Sequence, residues 1–171
     1  ASQLFITPVQ IAPGVHPSAV IAAGCEIHPE AAIGPNVVIG GGTSIGARTR
    51  VYANTVIGER CRIAQDVTLH ANVSIYSNVS IGARSTVHSS SVLGAAGFGF
   101  TPDANGHLQE IAQIGGVEIG ADVSIGSCSA VDCGAIDNTV VEDGVKIDNQ
   151  VQIGHNSHIG AHTIICGCVG I

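Results

Sequence analysis

The chain has 171 residues, with thirteen acids against six bases and a formal net charge of -7. That balance excludes a protein that wraps polyanions, because nucleic-acid affinity comes largely from cationic neutralisation of phosphates. No run approaches the ~18 apolar residues that a bilayer span needs, and no basic segment followed by an apolar stretch opens the sequence, so the expectation is a soluble, cytoplasmic protein without an integral membrane segment.

Only three Phe, two Tyr and no Trp occur, so the interior must be filled by aliphatic and small side chains. No Met is present, even at position 1, which predicts a processed chain or, as the preferred reading, an excised part of a longer one. Six cysteines without a CxxC pair fit a reducing compartment better than a disulfide scaffold.

In chain order the first signal is a period of six. Val9, Val15, Ile21, Ile27, Ile33, Ile39, Ile45, Val51, Ile57, Ile63, Leu69, Ile75, Ile81, Val87 and Leu93 are all branched aliphatics. Six is neither the period of a helix nor that of a plain strand, but three sixes close one turn of a three-sided parallel β-coil. The fold class predicted is all-β, a parallel β-helix of triangular section. It forms one domain over 1–171 whose coils rise about 4.8 Å each.

Gly follows the aliphatic at Gly34, Gly40, Gly46, Gly58, Gly82 and Gly94, predicting corners with torsions that a Cβ disfavours. His16, His28, His70 and His88 take the same slot and read as surface corner residues. Cys25 and Cys61, two 18-residue coils apart, read as stacked, inward-facing small residues. Arg48 and Arg84 share a corner at the same separation and read as solvated surface, with an acidic partner as the other possibility.

The rhythm fails at Gly99, where an aliphatic is due. A loop inserted over about 94–116 is predicted, carrying Phe98, Phe100 and the turn formers Pro102, Asp103, Asn105 and Gly106. Apolar side chains on such an excursion fit either a binding site or a flap packed back on its own coil. The period resumes at Ile119, Ile125 and Val131, slips by four residues, and continues from Val141 to Ile171.

The densest polar cluster, Asp148-Asn149-Gln150-Val151-Gln152-Ile153-Gly154-His155-Asn156, follows that slip. Asp148, Asn149, Gln152 and His155 are expected to converge at one edge of the prism. There an imidazole titrating near neutrality would take a proton while amides orient a polar substrate. Asp137, 18 residues before His155, is a possible orienting carboxylate unless the slip displaces it. His155, His158 and His162 invite a metal reading, but their slots differ within the repeat, so no metal is expected there. The segment Gly94 to Gly99 lacks the Gly-Lys-Ser/Thr end of a phosphate loop.

Three stretches in order are Gly97-Phe98-Gly99-Phe100-Thr101-Pro102-Asp103-Ala104-Asn105-Gly106-His107, Gln113-Ile114-Gly115, and the segment from Asp148 to Asn156. Together they resemble the UDP-3-O-acylglucosamine N-acyltransferases of lipid A biosynthesis. The resemblance implies a left-handed β-helix and a homotrimer with sites in the clefts between prisms. It also implies transfer of a 3-hydroxyacyl group from the phosphopantetheine thioester of acyl carrier protein to the 2-amine of a UDP-sugar, with no resident cofactor. Carried over by motif, His155 would be the general base, and Phe98, Asp148, Asn149 and Gln152 would line the acyl-pantetheine groove with Asn156 adjacent.

The family's oxyanion donor would fall at position 173, and its uridine-binding and C-terminal helical parts find no counterpart here, implying low turnover by this chain. Ala96 and Cys133 stand where the family pattern has Asp and Arg, a couple whose joint loss is consistent if the two positions meet. The rival readings are the sister enzyme that O-acylates UDP-N-acetylglucosamine, which lacks the GFGF loop, a γ-type carbonic anhydrase, and a non-catalytic hexapeptide scaffold.

Overall fold

Three parallel sheets wrap a narrow interior in the structure, a computed structural model that describes residues 11–171. Val9, the first aliphatic of the repeat, lies outside the described residues. The first face carries eight strands, from Gly14–Val15 to Ile164–Ile165. The second carries seven, from Val20–Ile21 to Gln152–Ile153, and the third seven, from Glu26–Ile27 to His158–Ile159. Consecutive strands in the chain belong to different faces, and each pairs in parallel with the strand one coil away, as in Ala32↔Arg50 and Ile33↔Val51. The fold is a left-handed parallel β-helix, with no helix among the described residues.

Most strands are two residues long, with the second residue turned inward. Ile39, Ile57, Leu69, Leu93, Ile125 and Ile153 are the largest of these buried side chains. The residue two places before the aliphatic is also buried in the central coils, and here polar groups enter the core. Thr43 and Thr49 are fully buried yet satisfied, Thr43 Oγ1 donating to Gly58 O at 2.8 Å and Thr49 Oγ1 to Ala64 O at 2.6 Å. Each hydroxyl thus serves the next coil, which removes the desolvation cost of burying it. Cys25 and Cys61 stand in the same column, as expected. Cys25 Sγ donates to Gly40 O and Cys61 Sγ to Tyr76 O, and burial pushes the Cys61 thiol above its usual pKa.

The corners differ from expectation in one respect. The left-handed torsions fall three places after the aliphatic, at residues such as Asn36, Arg48, Asp66, Asn78, Arg84 and Asn156, all with φ near +60°. Of the corner glycines predicted directly after the aliphatic, Gly94 has the expected torsion, with φ +86°, while the others answer a different demand, close approach of the next coil: a Cβ on Gly46 would lie 2.6 Å from Ala64 C. Where an expected Gly is replaced, the side chain stacks outward. Tyr52, His70 and His88 form one column with ring centroids 5.5 and 4.8 Å apart.

On the edge between third and first faces, Arg48 and Arg84 meet acids of their own chain. Arg48 bridges Asp66 at 2.7 Å and Glu30 at 3.3 Å, and Arg84 holds Asp122 through both carboxylate oxygens at 2.8 and 2.6 Å. The register steps by 18 residues over the regular coils, by 38 across the inserted segment (Val79↔Val117) and by 22 across the slip (Val117↔Thr139). The predicted irregular loop is largely an antiparallel hairpin of Phe100–Pro102 with Leu108–Glu110. Asp103 nucleates its turn by accepting from Asn105 N and His107 N, with Gly106 at φ +82°.

Candidate functional site

Both breaks in the period open onto one edge of the prism, between the second and third faces. The hairpin leaves after the strand Val92–Ala95, the four extra residues follow Ala130–Asp132, and His155 follows Gln152–Ile153, all strands of the second face. The extra residues brace the returning arm of the hairpin: Ile114 N donates to Ala135 O at 2.9 Å, Gly115 N to Gly134 O at 3.0 Å and Gly116 N to Asn138 Oδ1 at 2.7 Å. What looked like two defects in the sequence is one construction built beneath His155.

A groove of about 600 Å³ runs along this edge, walled by Phe98 and Phe100 from the hairpin, by Glu110 and Asp132, and by Gln152 and His155. The two phenyl rings meet edge-on with centroids 5.0 Å apart, and Phe98 is 88% exposed, an apolar surface left open to a ligand. The hairpin backbone crosses the imidazole at Gly97.

The hydrogen bonds settle the imidazole's tautomer. Asn156 Oδ1 lies 2.9 Å from Ala135 N and 2.9 Å from His155 Nδ1. A backbone N–H only donates, so the Asn156 atom facing it is the oxygen, and Nδ1 must carry a proton to donate to the same oxygen. In the neutral ring His155 Nε2 is therefore the nitrogen with the free lone pair, the arrangement a general base requires. Asn156 is itself held by its left-handed φ of +61° and by its N–H to Thr139 Oγ1 at 3.0 Å.

Of the residues expected at the site, Phe98, Gln152 and His155 line the groove and Asn156 supports it from behind. Asp148 and Asn149 do not join them, because they follow Ile147 of the first face and so occupy the neighbouring edge of the same prism. There Asp148 Oδ2 accepts from Gly167 N and Asn149 Oδ1 from Ser127 N. Asp137 is displaced by the slip: Val131 pairs with Ile153, so Cys133 rather than Asp137 lies beneath His155. His158 faces outward on the third face, 2.7 Å from Glu142, and His162 lies at the following edge beside Gly144, so the three imidazoles of the metal reading point apart.

Asp132, Glu110 and Gly97 are site residues that spacing alone missed. Asp132 fills the corner slot held by Gly154 one coil on, and that replacement was its legible signal. Burial in the groove wall pushes its carboxyl up, against the opposing pull of the Gln152 hydrogen bond and the His155 charge. Ala95 pairs with Asp132 and accepts from Cys133 N at 2.8 Å, so Ala96 and Cys133 are neighbours on successive coils.

The regular coils match the family model described as the GMPPB C-terminal domain, over residues 12–95. That match ends where the hairpin begins, so it reports the coil and not the groove. Curated relatives reach across both. UDP-3-O-acylglucosamine N-acyltransferase of Coxiella burnetii (strain RSA 493 / Nine Mile phase I) is 48% identical over 158 residues, 92% of this chain and 46% of its own length. The enzyme of that name from Cupriavidus pinatubonensis (strain JMP 134 / LMG 1197) is 53% identical over 161 residues, 92% of this chain and 44% of its own length. The chain is a relative of the UDP-3-O-acylglucosamine N-acyltransferases. It spans less than half the length of these N-acyltransferases.

Among solved structures, UDP-N-acetylglucosamine O-acyltransferase from Moraxella catarrhalis RH4 superposes with a TM-score of 0.73 at 24% identity, over 91% of this chain and 59% of that one. UDP-N-acetylglucosamine acyltransferase of Francisella novicida gives 0.63 at 18%, over 92% and 62%. At these identities the likeness is one of fold. No helix among the described residues is long and apolar enough to cross a membrane.

Proposed function

We propose that this chain carries the base and the groove for N-acyl transfer, in which the 2-amine of UDP-3-O-acylglucosamine takes a 3-hydroxyacyl group from an acyl carrier protein thioester. The observation that carries the reading is the locked imidazole of His155 inside a groove built from both breaks in the repeat. The amine nitrogen attacks the thioester carbonyl carbon, a C–N bond forms and the C–S bond breaks. His155 Nε2 takes the proton the amine sheds, and the imidazolium returns it to the departing thiolate. Phe98 and Phe100 offer apolar surface to the acyl arm and exclude water from the reacting carbonyl. The thioester is a co-substrate, and no resident cofactor enters this scheme.

The relatives' printed name supplies the acceptor. The carrier protein and a cytoplasmic setting come with the family resemblance. A homotrimer is the assembly that best uses the remaining residues. The second face presents Val20, Val38 and Val56 outward, an apolar column suited to face a three-fold axis. With that face inward, the edge bearing Asp148 and Asn149 in one copy meets the edge bearing His155 in the next. A single cleft then gathers all the residues of the cluster.

The test is His155→Ala, assayed with acyl carrier protein thioester and UDP-3-O-acylglucosamine. Loss of a proton acceptor is expected to lower kcat by about 10²–10⁴-fold. Wild-type rates from the variant would remove His155 as the base.

A further inference from the structure

We propose that Asp132 is a positioning residue that fixes the side-chain amide of Gln152, so that the side chains lining the groove beside His155 present hydrogen-bond acceptors and select ligand groups that bring N–H donors. The inference rests on the acyl-transfer reading for its substrates, but its geometry stands without it.

Asp132 lies one coil beneath the strand Gln152–Ile153, on the same outer edge. Gln152 Nε2 donates to Asp132 Oδ2 at 2.9 Å and points its second proton toward Ile153 O at 3.4 Å. Both partners accept, so both amide protons are spent. Turning the amide over would set its oxygen against a carboxylate and a carbonyl, trading two attractions for two repulsions. Oε1 is therefore the atom Gln152 leaves for a ligand. The neutral His155 ring is set likewise, since its Nδ1–H is committed to Asn156 Oδ1 and only the Nε2 lone pair remains.

The rest of the lining adds no side-chain donor. Ala96, Gly97, Phe98, Phe100 and Gly154 carry no polar side-chain atom, and the carboxylates of Asp132 and Glu110 accept. A ligand bringing only acceptors would set them against Oε1 and the two carboxylates, while one bringing an amine or a secondary amide supplies the donor that Oε1 lacks. In acyl transfer both substrates fit that class, the acceptor through its amine and the acyl donor through an amide-bearing arm.

Two measurements test this. In the chain labelled with 15N-glutamine, the Gln152 side-chain protons should exchange slowly with solvent. Asp132→Leu, which keeps the branched shape and removes the acceptor, should return them to the free rate. Free exchange in the wild type, or protection unchanged by Asp132→Leu, would overturn the proposal. In the transfer assay Asp132→Leu should raise KM about tenfold for whichever substrate brings the N–H to Gln152, with kcat within about twofold.

Pairing Asp132→Asn with Gln152→Glu should recover most of that affinity, because the introduced amide would donate to the introduced carboxylate and leave its other oxygen in the groove. Two unchanged KM values, or a fall in kcat at constant KM, would count against the assignment. Absence of turnover by a chain extended to the full length of its relatives would instead remove the acyl-transfer reading, and the exchange measurement would still decide the role of Asp132.

Discussion

Gly97 lies against the face of the His155 imidazole so closely that a Cβ at position 97 would come within 2.6 Å of both Cβ and Cδ2 of the histidine. Real Cβ atoms do not approach so near, so Gly97→Ala must push the imidazole aside or lift the hairpin from the coil. The hairpin is exposed and the interior of the coil is buried, and the prism should therefore keep its fold. The expected outcome is an unchanged far-ultraviolet circular dichroism spectrum together with a fall in transfer rate on the order of 100-fold, the usual cost of a displacement near 1 Å at a reacting group. Equal loss of fold and activity would show that the contact matters to stability instead.

Asn156 sets the tautomer of that imidazole, and the effect is separable from its role in the backbone. Asn156→Gly preserves access to φ near +60° while deleting Oδ1, so it frees Nδ1 and leaves Ala135 N without its partner. The 15N spectrum of labelled histidine should then show His155 passing from the single Nδ1–H form to a mixture of tautomers. Turnover is expected to drop in proportion to the share of molecules whose Nε2 no longer holds the lone pair, so the tautomer ratio read from the spectrum and the loss of rate should agree.

The period of six made the prism legible, because each Ile, Val or Leu that recurs every sixth place is an inward residue whose neighbours are fixed by the coil. The same reasoning failed at Asp148 and Asn149. Sequence proximity to His155 suggested one edge, but six residues are a full side of the triangle, and the two groups fall on successive edges. Thr43 and Thr49 are buried for a reason the pattern does not display, since their acceptors lie 15 residues on, in the next coil. The hairpin's turn chemistry was written in Pro102, Asp103 and Gly106. Its role as a wall of the groove depended on the slip of four residues that braces it, a pairing across the fold that spacing cannot express.

His70 contributes to stability through the Tyr52–His70–His88 column. Burial is the larger cause holding its pKa below the usual imidazole value of 6.5, and the charge of His88 adds to it. The folded chain thus binds a proton at His70 less readily than the unfolded chain does. This contribution is complete above pH 6.5 and is lost as pH falls from there toward the depressed folded value. Urea midpoints should therefore decline between pH 7.5 and pH 5. The decline should be smaller in His70→Gln, which keeps a polar side chain in the column and does not titrate there.

Asp66 and Asp122 act in a lower pH window. Hydrogen bonds from Arg48 and Arg84, respectively, are the chief cause holding their carboxyl groups below the usual value of 3.8. The folded chain releases these protons more readily than the unfolded chain. The stabilisation is therefore present above pH 3.8 and disappears as pH falls through the depressed folded values. Both carboxylates and both guanidinium groups stand at the surface, where counterions compete with the pairs. Acid unfolding followed by circular dichroism should thus begin at a higher pH in 1 M salt than in 10 mM salt. Asp122→Asn should remove part of that salt sensitivity. If the acid limb were the same in Asp122→Asn and the wild type at both salt concentrations, the Arg84–Asp122 pair would carry no stability, and the ladder along that edge would be only a consequence of the register of the coils.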